Sequence, residues 1–379
     1  MPGIIRNVTK QFIISCNLFV SLCMLLLYVL PHTDQNYFWI LNLLAMVFPF
    51  LLLLQLGFLI FWLIVKPKLS IIPVVTLVLC FGFIRSVFGF HQANPVSINK
   101  KDGFRMATWN VHLYNFYENN GTLDPGMLQY TRSLRADVLA VQEFVFSLDS
   151  NSSISLDNVR KRLGYKYVIA GNDRRFGVHT NAGARNEKYF PFCVALFSNY
   201  PILKWERKQS LREYNHTYLW ADILIGNDTI RFFNVHLQSM HFVKKDYDFI
   251  ENIDQQDMDG VKKAGRYLIS KIKAANLLRA IQVEDVRDEV ARSPHEVILC
   301  GDFNDVPNSY SYQAIADKLK DAHVKKGSGL GRTFRFLAPT LRIDNIFYSP
   351  SVTLERFGPM NTPLSDHLPL VAEFDLPRR

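Results

Sequence analysis

Charged residues are almost absent from the first quarter of the chain. Residues 1–95 contain one acidic side chain, Asp34, and five basic ones among long apolar runs. The rest of the chain is ordinary in charge, and the formal net charge of +9 divides into +4 for residues 1–95 and +5 for the remainder. A net charge this small on a large domain excludes the concentrated basic field of a dedicated nucleic-acid binder. The net charge of the chain therefore does not indicate the class of substrate.

Cysteine is scarce, and its placement excludes two further classes of protein. Three of the five cysteines, Cys16, Cys23 and Cys80, lie in the apolar segment, and Cys193 and Cys300 lie in strand-like runs. No spacing matches a zinc site, and no framework of paired cysteines indicates a disulfide-stabilised domain. We expect all five to be small core residues. Internal repeats and low-complexity tracts are also absent from the sequence.

Three apolar runs are long enough to cross a bilayer as helices. They cover about residues 12–30, 38–65 and 71–90, and Arg85 is the charge within them. About 20 apolar residues in a helix span a hydrocarbon core of about 30 Å. A cleaved signal peptide followed by buried helices is the alternative, but the first run exceeds a typical signal and lacks a small-residue cleavage site. The sequence predicts a membrane anchor with three transmembrane helices over residues 1–95.

The basic residues that flank these runs predict their orientation. Arg6 and Lys10 precede the first run, Lys66 and Lys68 separate the second from the third, and the link at residues 32–36 has no basic residue. Lys and Arg stay preferentially on the cytoplasmic side of a membrane. We therefore expect a bacterial inner-membrane protein with a cytoplasmic N-terminus. The domain after the third run would lie on the periplasmic, extracytoplasmic side.

After a polar linker at residues 96–103, the pattern changes to short β-type runs separated by amphipathic helices. The predicted strands cover residues 104–109, 138–141, 167–170, 194–198, 218–225, 230–235, 297–300, 343–348 and 368–374. The predicted helices cover residues 126–135, 157–163 and 261–292. Many strands with helices among them indicate a layered α/β or α+β domain over residues 104–379.

Polar side chains follow one buried run especially closely. The apolar residues 297–300 precede Gly301, where we expect a sharp turn, and Asp302 and Asn304 come next. If the strand geometry continues, side chains two residues apart point to the same side, so a carboxylate and an amide lie together. Such a pair suits the binding of a water molecule and a phosphate oxygen. A turn rich in Asp and Asn is the alternative interpretation.

Similar polar groups end other runs. They are Asn110 after Thr108-Trp109, Glu143 after Gln142, His236 in Asn234-Val235-His236-Leu237, Asp344 in Ile343-Asp344-Asn345, and Asp366 and His367 after Ser365. Each one alone is compatible with a turn, an edge residue or a core histidine. In this order, the set resembles the endonuclease/exonuclease/phosphatase superfamily, which includes deoxyribonuclease I, sphingomyelinases and inositol polyphosphate 5-phosphatases.

The resemblance covers about residues 103–376, and the motifs WN, QE, NVHL, GDFN, ID and SDH occur in the order of the family. It implies a four-layer α/β/β/α sandwich, in which two packed β-sheets are flanked by helices. The motifs would then meet at one end of the sandwich. The motifs are specific for the superfamily and do not specify the substrate.

The resemblance also implies a metal site. Glu143 is the principal metal ligand by position, with Asn110 beside it and Asp366 as a further ligand. Oxygen ligands without cysteine select Mg²⁺ or Mn²⁺. Some nucleases of the family carry an acid two residues after the Asn of the first motif, where this chain has His112. The number of metal ions therefore stays open.

The remaining motif residues are implied to activate water and to bind phosphate. His367 would be the general base, oriented by Asp344, while Asp302 and Asn304 orient the nucleophile and the phosphate. His236 would donate a proton or a hydrogen bond to a phosphate oxygen. Hydrolysis of a phosphate ester needs charge neutralisation, a positioned water and a proton acceptor, which metal, amide and imidazole supply. An imidazole near its ordinary pKa accepts a proton near neutrality.

We therefore expect a membrane-anchored, Mg²⁺-dependent phosphoric-ester hydrolase. The leading hypothesis is a phosphodiesterase that acts outside the cytoplasm on nucleic acid or a phospholipid head group, with the lipid bilayer as its other partner and no obligate protein partner. A phosphomonoesterase of inositol or sugar phosphates is an alternative, and so is a non-catalytic binding module on a membrane scaffold. Basic residues between positions 174 and 188 form either an anion-binding loop or a solvated one.

Overall fold

The computed structural model describes residues 2–92, 103–171, 177–179, 189–208, 218–240, 258–336 and 338–375. The chain divides into two compact units. The first comprises Met1–Phe88, Met240–Ala280 and Val306–Gln313, and the second comprises Gly89–Ser239, Ile281–Asp305 and Ala314–Arg379. Each unit is described by itself.

The helices and strands follow one another along the described residues. The helices are α1 (Pro2–Leu25), α2 (Gln35–Phe38), α3 (Asn42–Val65), α4 (Ile71–Leu79), α5 (Phe81–Val87), α6 (Pro125–Ser133), α7 (Leu156–Leu163), α8 (Met258–Ala291), α9 (Tyr310–Ala316) and α10 (Ala322–Lys326). The strands are β1 (Gly89–Phe90), β2 (Phe104–Asn110), β3 (Val138–Val145), β4 (Tyr167–Ala170), β5 (Gly177–His179), β6 (Tyr189–Ser198), β7 (Ile202–Lys208), β8 (Tyr218–Ile225), β9 (Asp228–His236), β10 (Glu296–Asp302), β11 (Lys320–Asp321), β12 (Ser328–Gly329), β13 (Asp344–Tyr348), β14 (Thr353–Pro359) and β15 (Leu370–Asp375).

The first unit contains the apolar helices. Two helical stretches, Ile5–Tyr28 and Gln35–Val65, are long and apolar enough to cross a membrane, and a third span exists if the bent pair Pro67–Leu79 and Phe81–Val87 counts as one. The pair bends by 60°, so the residues predicted to form the third span form two helices rather than one continuous helix, and the third span stays a prediction. The bend lies at Cys80, whose ψ of 8° leaves the helical range.

A preceding contact accounts for part of this bend. The hydroxyl of Thr76 donates to the carbonyl of Ile72 at 3.0 Å, one turn earlier in α4. Back-bonding of this kind competes with the helical hydrogen bonds and often bends a helix. The helix then restarts at Phe81, where Gly82 follows within the first turn.

Five buried polar side chains join α1, α3 and α4, and we call them the interhelical polar network. They are Asn17, Ser21, Gln55, Trp62 and Thr76. Asn17 donates to Gln55 at 3.1 Å, and the indole of Trp62 donates to Asn17 at 3.1 Å. Gln55 donates to the hydroxyl of Ser21 at 2.9 Å, and the hydroxyl oxygens of Thr76 and Ser21 lie 2.9 Å apart. Polar contacts between helices are a principal means of holding apolar helices together in a bilayer.

Segments from the second half of the chain complete the first unit. The side chain of Asn42 accepts a hydrogen bond from the backbone N–H of Tyr310 at 2.8 Å. Asn308 donates from its amide to the carbonyl of Phe83 at 3.1 Å. The residues that directly follow Asp305 therefore pack with the ends of α3 and α5.

The second unit contains two large β-sheets and the short two-stranded sheet β1-β12. One sheet has the order β11-β13-β10-β9-β8-β7, and the other has the order β14-β15-β2-β3-β6-β4, with β5 paired to β6. Alternation along β2 shows how the layers form. Phe104 and Met106 contact the core between the two sheets, whereas Ala107 and Trp109 contact the core on the other side. Each strand thus divides its side chains between two apolar layers.

Helices cover the outer faces of both sheets. Met127 of α6 and Val159 of α7 belong to the core outside β2 and β3. On the other sheet, the hydroxyl of Tyr218 donates to Asp285 of α8 at 3.1 Å, and Gln282 accepts from the backbone of Gln238 at 2.8 Å. The predicted four-layer sandwich is confirmed.

The topology brings several strand ends together. Strands β2 and β3 are parallel, as are β9 and β10, so their carboxyl ends lie side by side. Strand β13 runs antiparallel to β10 and begins opposite its end, with Asp344 paired to Asp302. Strand β15 likewise begins opposite the end of β2. All six ends carry or adjoin a sequence motif.

Within the second unit, every predicted strand and helix corresponds to an observed element, with ends that differ by a few residues. Two strands of more than five residues were not predicted, β7 and β14. Both lie at sheet edges, where most of their side chains are exposed or half-buried and no apolar alternation is required.

Candidate active site

Strand β10 delivers Asp302 to the end of the sandwich. The prediction of a turn at Gly301 is wrong, because the strand continues through this residue to Asp302. Gly301 has a φ of +136°, and a Cβ at this position would lie 2.0 Å from the carbonyl oxygen of Val235. Glycine is therefore required by the close approach of β9.

Asn304 is positioned by a different device from the one expected. Because β10 ends at Asp302, the two side chains are not held by continued strand geometry, and that prediction is wrong. Asn304 has a left-handed φ of 50°. Its backbone N–H donates to Asp302 Oδ1 at 2.8 Å, and its amide donates to the carbonyl of Leu237 at 3.0 Å. These two hydrogen bonds hold the Asn304 amide between the GDFN and NVHL motifs.

Several predicted site residues converge on one carboxylate oxygen, Asp302 Oδ2. Asn110 Nδ2 donates to it at 3.1 Å. The Nε2 atoms of His236 and His367 each lie 3.8 Å from it. Asn110 Nδ2 also donates to Glu143 Oε1 at 3.2 Å, and His236 Nε2 lies 3.9 Å from that oxygen. The structure thus brings these residues of five motifs into one cluster.

His367 and Asp344 form a buried pair. The Nδ1 atom of His367 lies 2.8 Å from Asp344 Oδ2. The backbone N–H of Asp344 donates to the Thr333 hydroxyl at 3.1 Å, and the indole of Trp109 donates to the carbonyl of His367 at 2.9 Å. The ring of Phe334 lies edge-on to the imidazole at 5.1 Å. These contacts orient Nε2 toward Asp302.

The charges around the His367–Asp344 pair favour the binding of a cation. Burial would lower the pKa of His367, but the neighbouring carboxylates of Asp344 and Asp302 raise it to about 10. Burial also raises the pKa of Asp302 above its ordinary value, opposed by the charge of His367 and reinforced by that of Asp344. The Oδ1 atom of Asp344 is buried and has no hydrogen-bond partner among the described residues. The cluster therefore concentrates negative charge that protein cations do not fully balance.

Glu143 lies at the rim of the cluster, and His112 links it to Asp366. The Nδ1 atom of His112 lies 3.7 Å from Glu143 Oε2 and 3.8 Å from Asp366 Oδ2. Burial would raise the pKa of Glu143, but the attraction of the neighbouring His112 and the charge of His236 lower it to about 2. The attraction of Glu143 outweighs burial and raises the pKa of His112 to about 9. The sequence did not predict a role for His112 in the site.

Left-handed backbone also occurs at the site. His112, Glu143 and Asn304 have φ values of 43°, 53° and 50°, and described residues elsewhere, such as Asn120 and Arg135, have similar values of 52° and 50°. Each such residue costs about 1–3 kcal/mol and persists only when its surroundings impose it. None of the three site residues is glycine, so the contacts around the strand ends must hold this conformation.

Two further motif residues support the site, and sequence reasoning did not single them out. Gln142 donates from Nε2 to Asn234 Oδ1 at 2.6 Å. Asn234 in turn donates to the carbonyls of Val141 and Ala195 at 3.0 and 2.8 Å. These bonds cross between the two sheets, one residue before Glu143 and two before His236. Because Gln142 and Asn234 lie inside the QE and NVHL motifs, the sequence contained a signal that could have identified them.

Other predicted features are placed as follows. Of the aromatic residues that follow the WN motif, Tyr114 and Phe116 are fully buried in the core, and Tyr117 is exposed. The basic stretch at residues 174–188 lies outside the described residues except for β5. Cys193 and Cys300 are buried and free.

The donor set fits a hard divalent cation. Asp302, Asp344 and His367 offer ligand atoms that all lie within 4.8 Å of one another. Of the three predicted ligands, Glu143 and Asp366 flank His112. Asn110 turns Nδ2 toward the carboxylates, while its oxygen accepts from the backbone of His112 at 3.1 Å. Carboxylate oxygens predominate, as Mg²⁺ and Mn²⁺ require.

Comparison with known proteins places the chain in a family. The model of the endonuclease/exonuclease/phosphatase family matches residues 107–367, which include every motif residue of the cluster from Asn110 to His367. The chain belongs to the endonuclease/exonuclease/phosphatase family. A domain of unknown function, DUF8431, matches residues 10–87. A search of curated proteins found no match.

The chain is also similar to several solved structures. A family protein from Beutenbergia cavernae is 19% identical, covers 73% of this chain and 72% of its own, and has a TM-score of 0.51. A family protein from Bacteroides vulgatus is 16% identical with coverages of 73% and 100% and a TM-score of 0.49. The human Nocturnin catalytic domain with bound sulfate is 16% identical, with coverages of 72% and 93% and a TM-score of 0.49. Members of this family are phosphoesterase hydrolases and typically use divalent metals.

Proposed function

We propose that this protein is a membrane-anchored, Mg²⁺- or Mn²⁺-dependent phosphodiesterase. The observation that carries the proposal is the buried His367–Asp344 pair, joined at 2.8 Å, with the second imidazole nitrogen directed at Asp302. A histidine held at Nδ1 by a carboxylate has Nε2 available to exchange a proton with a water. This is the arrangement that hydrolysis by general base catalysis needs.

The other residues of the cluster suit the remaining steps. Asn304 and Asp302 would bind and orient the attacking water and a phosphate oxygen, because both are fixed to backbone groups. His236 is buried beside Phe192 and would hydrogen-bond a non-bridging oxygen of the phosphate. His367 in its neutral form would take the proton of the water, and Asp344 would stabilise the imidazolium that forms. Because the neighbouring carboxylates raise the pKa of His367 to about 10, this neutral form needs a bound cation at neutral pH.

A divalent cation would be held by Glu143 with Asn110 and Asp366, or by the adjoining Asp302 and Asp344. When bound, it supplies charge neutralisation for the phosphate. For Asn110 to be a ligand, its amide must turn so that the oxygen faces Glu143, which breaks the bond from the His112 backbone. His112 would then remain as a hydrogen-bond donor beside Glu143.

The substrate class follows from the site and the anchor together. We infer a diester of nucleic acid or of a phospholipid head group. The histidine of the NVHL motif resembles the family branch of deoxyribonuclease I, sphingomyelinases and inositol phosphatases, so a phosphomonoester is the alternative substrate. The apolar helices would anchor the enzyme in a bacterial inner membrane. The basic residues between the helices favour a cytoplasmic N-terminus and an active site outside the cytoplasm.

Hydrolysis of bis-p-nitrophenyl phosphate by the purified full chain tests the chemistry. We expect activity with Mg²⁺ or Mn²⁺, loss of activity with EDTA, and recovery when metal is restored. Glu143→Gln should lose the activity, whereas the exposed Glu355→Gln should retain it. Full turnover in chelator, or equal activity of both variants, would refute the mechanism.

A substrate panel and a pair of reporter fusions test the finer statements. DNA, RNA, sphingomyelin, phosphatidylinositol and inositol phosphates would be compared with the same enzyme preparation. A preference for the monoesters would replace the proposed diesterase by a phosphatase. A C-terminal alkaline phosphatase fusion should be active and a green fluorescent protein fusion dark in a bacterial host. The opposite pattern would place the active site in the cytoplasm.

A further inference from the structure

The long helix α8 has an uneven distribution of charge. Its first 23 residues, 258–280, contain six basic side chains and one acidic one, whereas residues 281–291 contain four acidic side chains and one basic one. The basic part belongs to the first compact unit, together with the apolar helices, and the acidic part belongs to the second. The change of charge therefore coincides with the change of unit.

One stripe of the basic part is exposed. Lys262, Arg266, Ile269 and Lys273 follow one another at intervals of four, three and four residues. This spacing places all four on one face of a helix. All four side chains are exposed, and Ile269 is 52% accessible although it is apolar. We call these residues the basic stripe.

The last residue of the basic stripe lies at the end of a candidate membrane span. The ammonium group of Lys273 lies 5.9 Å from the centre of the Trp39 ring. Trp39 adjoins the N-terminus of α3 and follows the exposed aromatic residues Tyr37 and Phe38, which are 78% and 51% accessible. Aromatic side chains at the end of a span are typical of the interface between hydrocarbon and head groups. The basic stripe therefore ends at the level of the head groups.

We propose that the basic stripe of α8 binds the anionic phospholipid head groups of the bilayer in which the chain is anchored. Cations beside the membrane attract anionic head groups, and an exposed isoleucine among them inserts at the boundary of the acyl chains. This inference rests on the proposed membrane anchoring and assigns a surface outside the active site. Continuity with the span end at Trp39 favours lipid over another protein as the occupant.

The acidic segment that precedes α8 in the sequence is an alternative occupant of the basic stripe, and the experiment distinguishes it from lipid. Residues 241–257 precede α8, lie outside the described residues and contain five acidic and two basic side chains. If this segment neutralised the basic stripe, removal of the basic charges would act equally in neutral and anionic membranes. If lipid occupies the stripe, the effect depends on the anionic lipid.

The experiment measures the position of the basic stripe in nanodiscs that contain the full chain. Ile269→Cys would carry a fluorophore, and the discs would contain a phosphatidylcholine with a quencher on its head group and a rising fraction of phosphatidylglycerol. The unsubstituted protein treated with the same reagent corrects for the native cysteines. We expect quenching that increases with the phosphatidylglycerol fraction and weakens when salt is added.

A charge-deleted variant supplies the matched comparison. Lys262→Gln, Arg266→Gln and Lys273→Gln together should weaken the apparent affinity for anionic lipid about a hundredfold, since each charge contributes about fivefold. The control removes three exposed charges in the second unit, with Arg132→Gln, Arg162→Gln and Lys166→Gln, and should leave the response unchanged. The phosphodiester activity of both variants should equal that of the parent protein.

The outcomes separate this inference from the proposed function. A chain that does not insert into nanodiscs would refute the anchoring and with it this inference. An inserted chain whose label shows no dependence on phosphatidylglycerol would refute the lipid surface alone. Equal effects of the triple variant in neutral and anionic discs would assign the stripe to the acidic segment. The expected lipid dependence with an inactive enzyme would support the surface and refute only the catalytic proposal.

Discussion

The two units each bury a group of polar side chains in apolar surroundings, but the two groups are organised differently. The interhelical polar network of the first unit joins neutral side chains through hydrogen bonds of 2.9–3.1 Å. The cluster of the second unit contains charged side chains, an Oδ1 atom on Asp344 that has no hydrogen-bond partner within the described part of the chain, and left-handed backbone at Glu143 and Asn304.

This contrast distinguishes polar groups that stabilise the fold from polar groups that bind a ligand or take part in a reaction. A neutral group that satisfies its own hydrogen bonds gains stability and specifies how helices pack. A charged group with perturbed pKa values and strained backbone loses stability, and it persists where a ligand or a reaction uses it. We therefore expect substitutions in the first group to change stability and substitutions in the second to change activity.

The largest effect should come from the His367–Asp344 pair. His367→Ala should lower kcat by about 10²–10⁴ because the water loses its general base, while the protein stays folded. Asp344→Asn should lose much of the same activity, since an amide cannot stabilise the imidazolium. The double variant should be little worse than His367→Ala, because the two residues act as one unit.

Steady-state kinetics and thermal unfolding of the same preparations measure this effect. The exposed His91→Ala is the control and should match the parent protein in both measurements. Losses of activity that multiply in the double variant would show that Asp344 acts elsewhere. A large fall in stability with unchanged kcat would remove the contrast between the two units.

Asn234 should behave as an architectural residue although it lies beside the active site. It uses both amide hydrogens and its oxygen in bonds that cross the sandwich. Asn234→Leu should reduce the free energy of unfolding by about 2–4 kcal/mol, because it leaves buried partners unsatisfied. The turnover of the folded fraction should fall far less than in His367→Ala.

Thermal unfolding compared with Asn227→Leu, at an exposed turn position, measures that cost. If Asn234→Leu abolished turnover at full stability, Asn234 would belong to the chemistry, and the division between the two kinds of polar group would fail within one sheet.

Metal binding should depend on pH through His367. Its pKa of about 10 without metal means that the ring is protonated at neutral pH. A bound cation disfavours the protonated ring, so binding releases a proton and the metal affinity should rise with pH by up to about tenfold per unit below pH 10. Calorimetric titration of Mg²⁺ at several pH values measures the slope.

His367→Gln provides the control for this linkage, because it removes the titrating group and keeps a polar side chain. Its metal affinity should depend less steeply on pH than that of the parent protein. An affinity that falls as pH rises would have the wrong sign for the assignment.

The smallest effect should come from the first unit. Gln55→Leu removes two hydrogen bonds of the interhelical polar network and should cost about 1–2 kcal/mol of stability in a membrane. Activity of the folded protein should be unchanged. Unfolding in lipid or mild detergent would be compared with Gln11→Leu, at an exposed position of α1. A loss of turnover without a loss of stability in Gln55→Leu would overturn the architectural role.

Much of the fold was accessible to prediction because local patterns carry it. Period-two alternation and apolar runs located the central strands, and motif order predicted the sandwich. The edge strands β7 and β14 lacked this pattern. The break at Cys80 was also missed, since a run of apolar residues does not reveal where a helix bends.

The residues of the candidate site likewise include some that the sequence predicted and one that it did not. Asp344 and His367 were predicted as a pair from their motifs, and their bond of 2.8 Å requires the register of β13 against β10 and the start of β15. His112 was recorded only as a departure from the family pattern. Its place between Glu143 and Asp366 depends on a left-handed turn that no apolar periodicity encodes.

The sequence by itself determined the apolar segment, the order of strands and helices, and the chemical types of the motif residues, because these depend on composition and short-range periodicity. Only the tertiary structure decided which polar groups meet. Asn110 and Asp302 are separated by 192 positions and lie 3.1 Å apart because two parallel strand pairs in different sheets end at the same place. Contacts between such distant residues depend on packing between sheets, which local sequence does not specify.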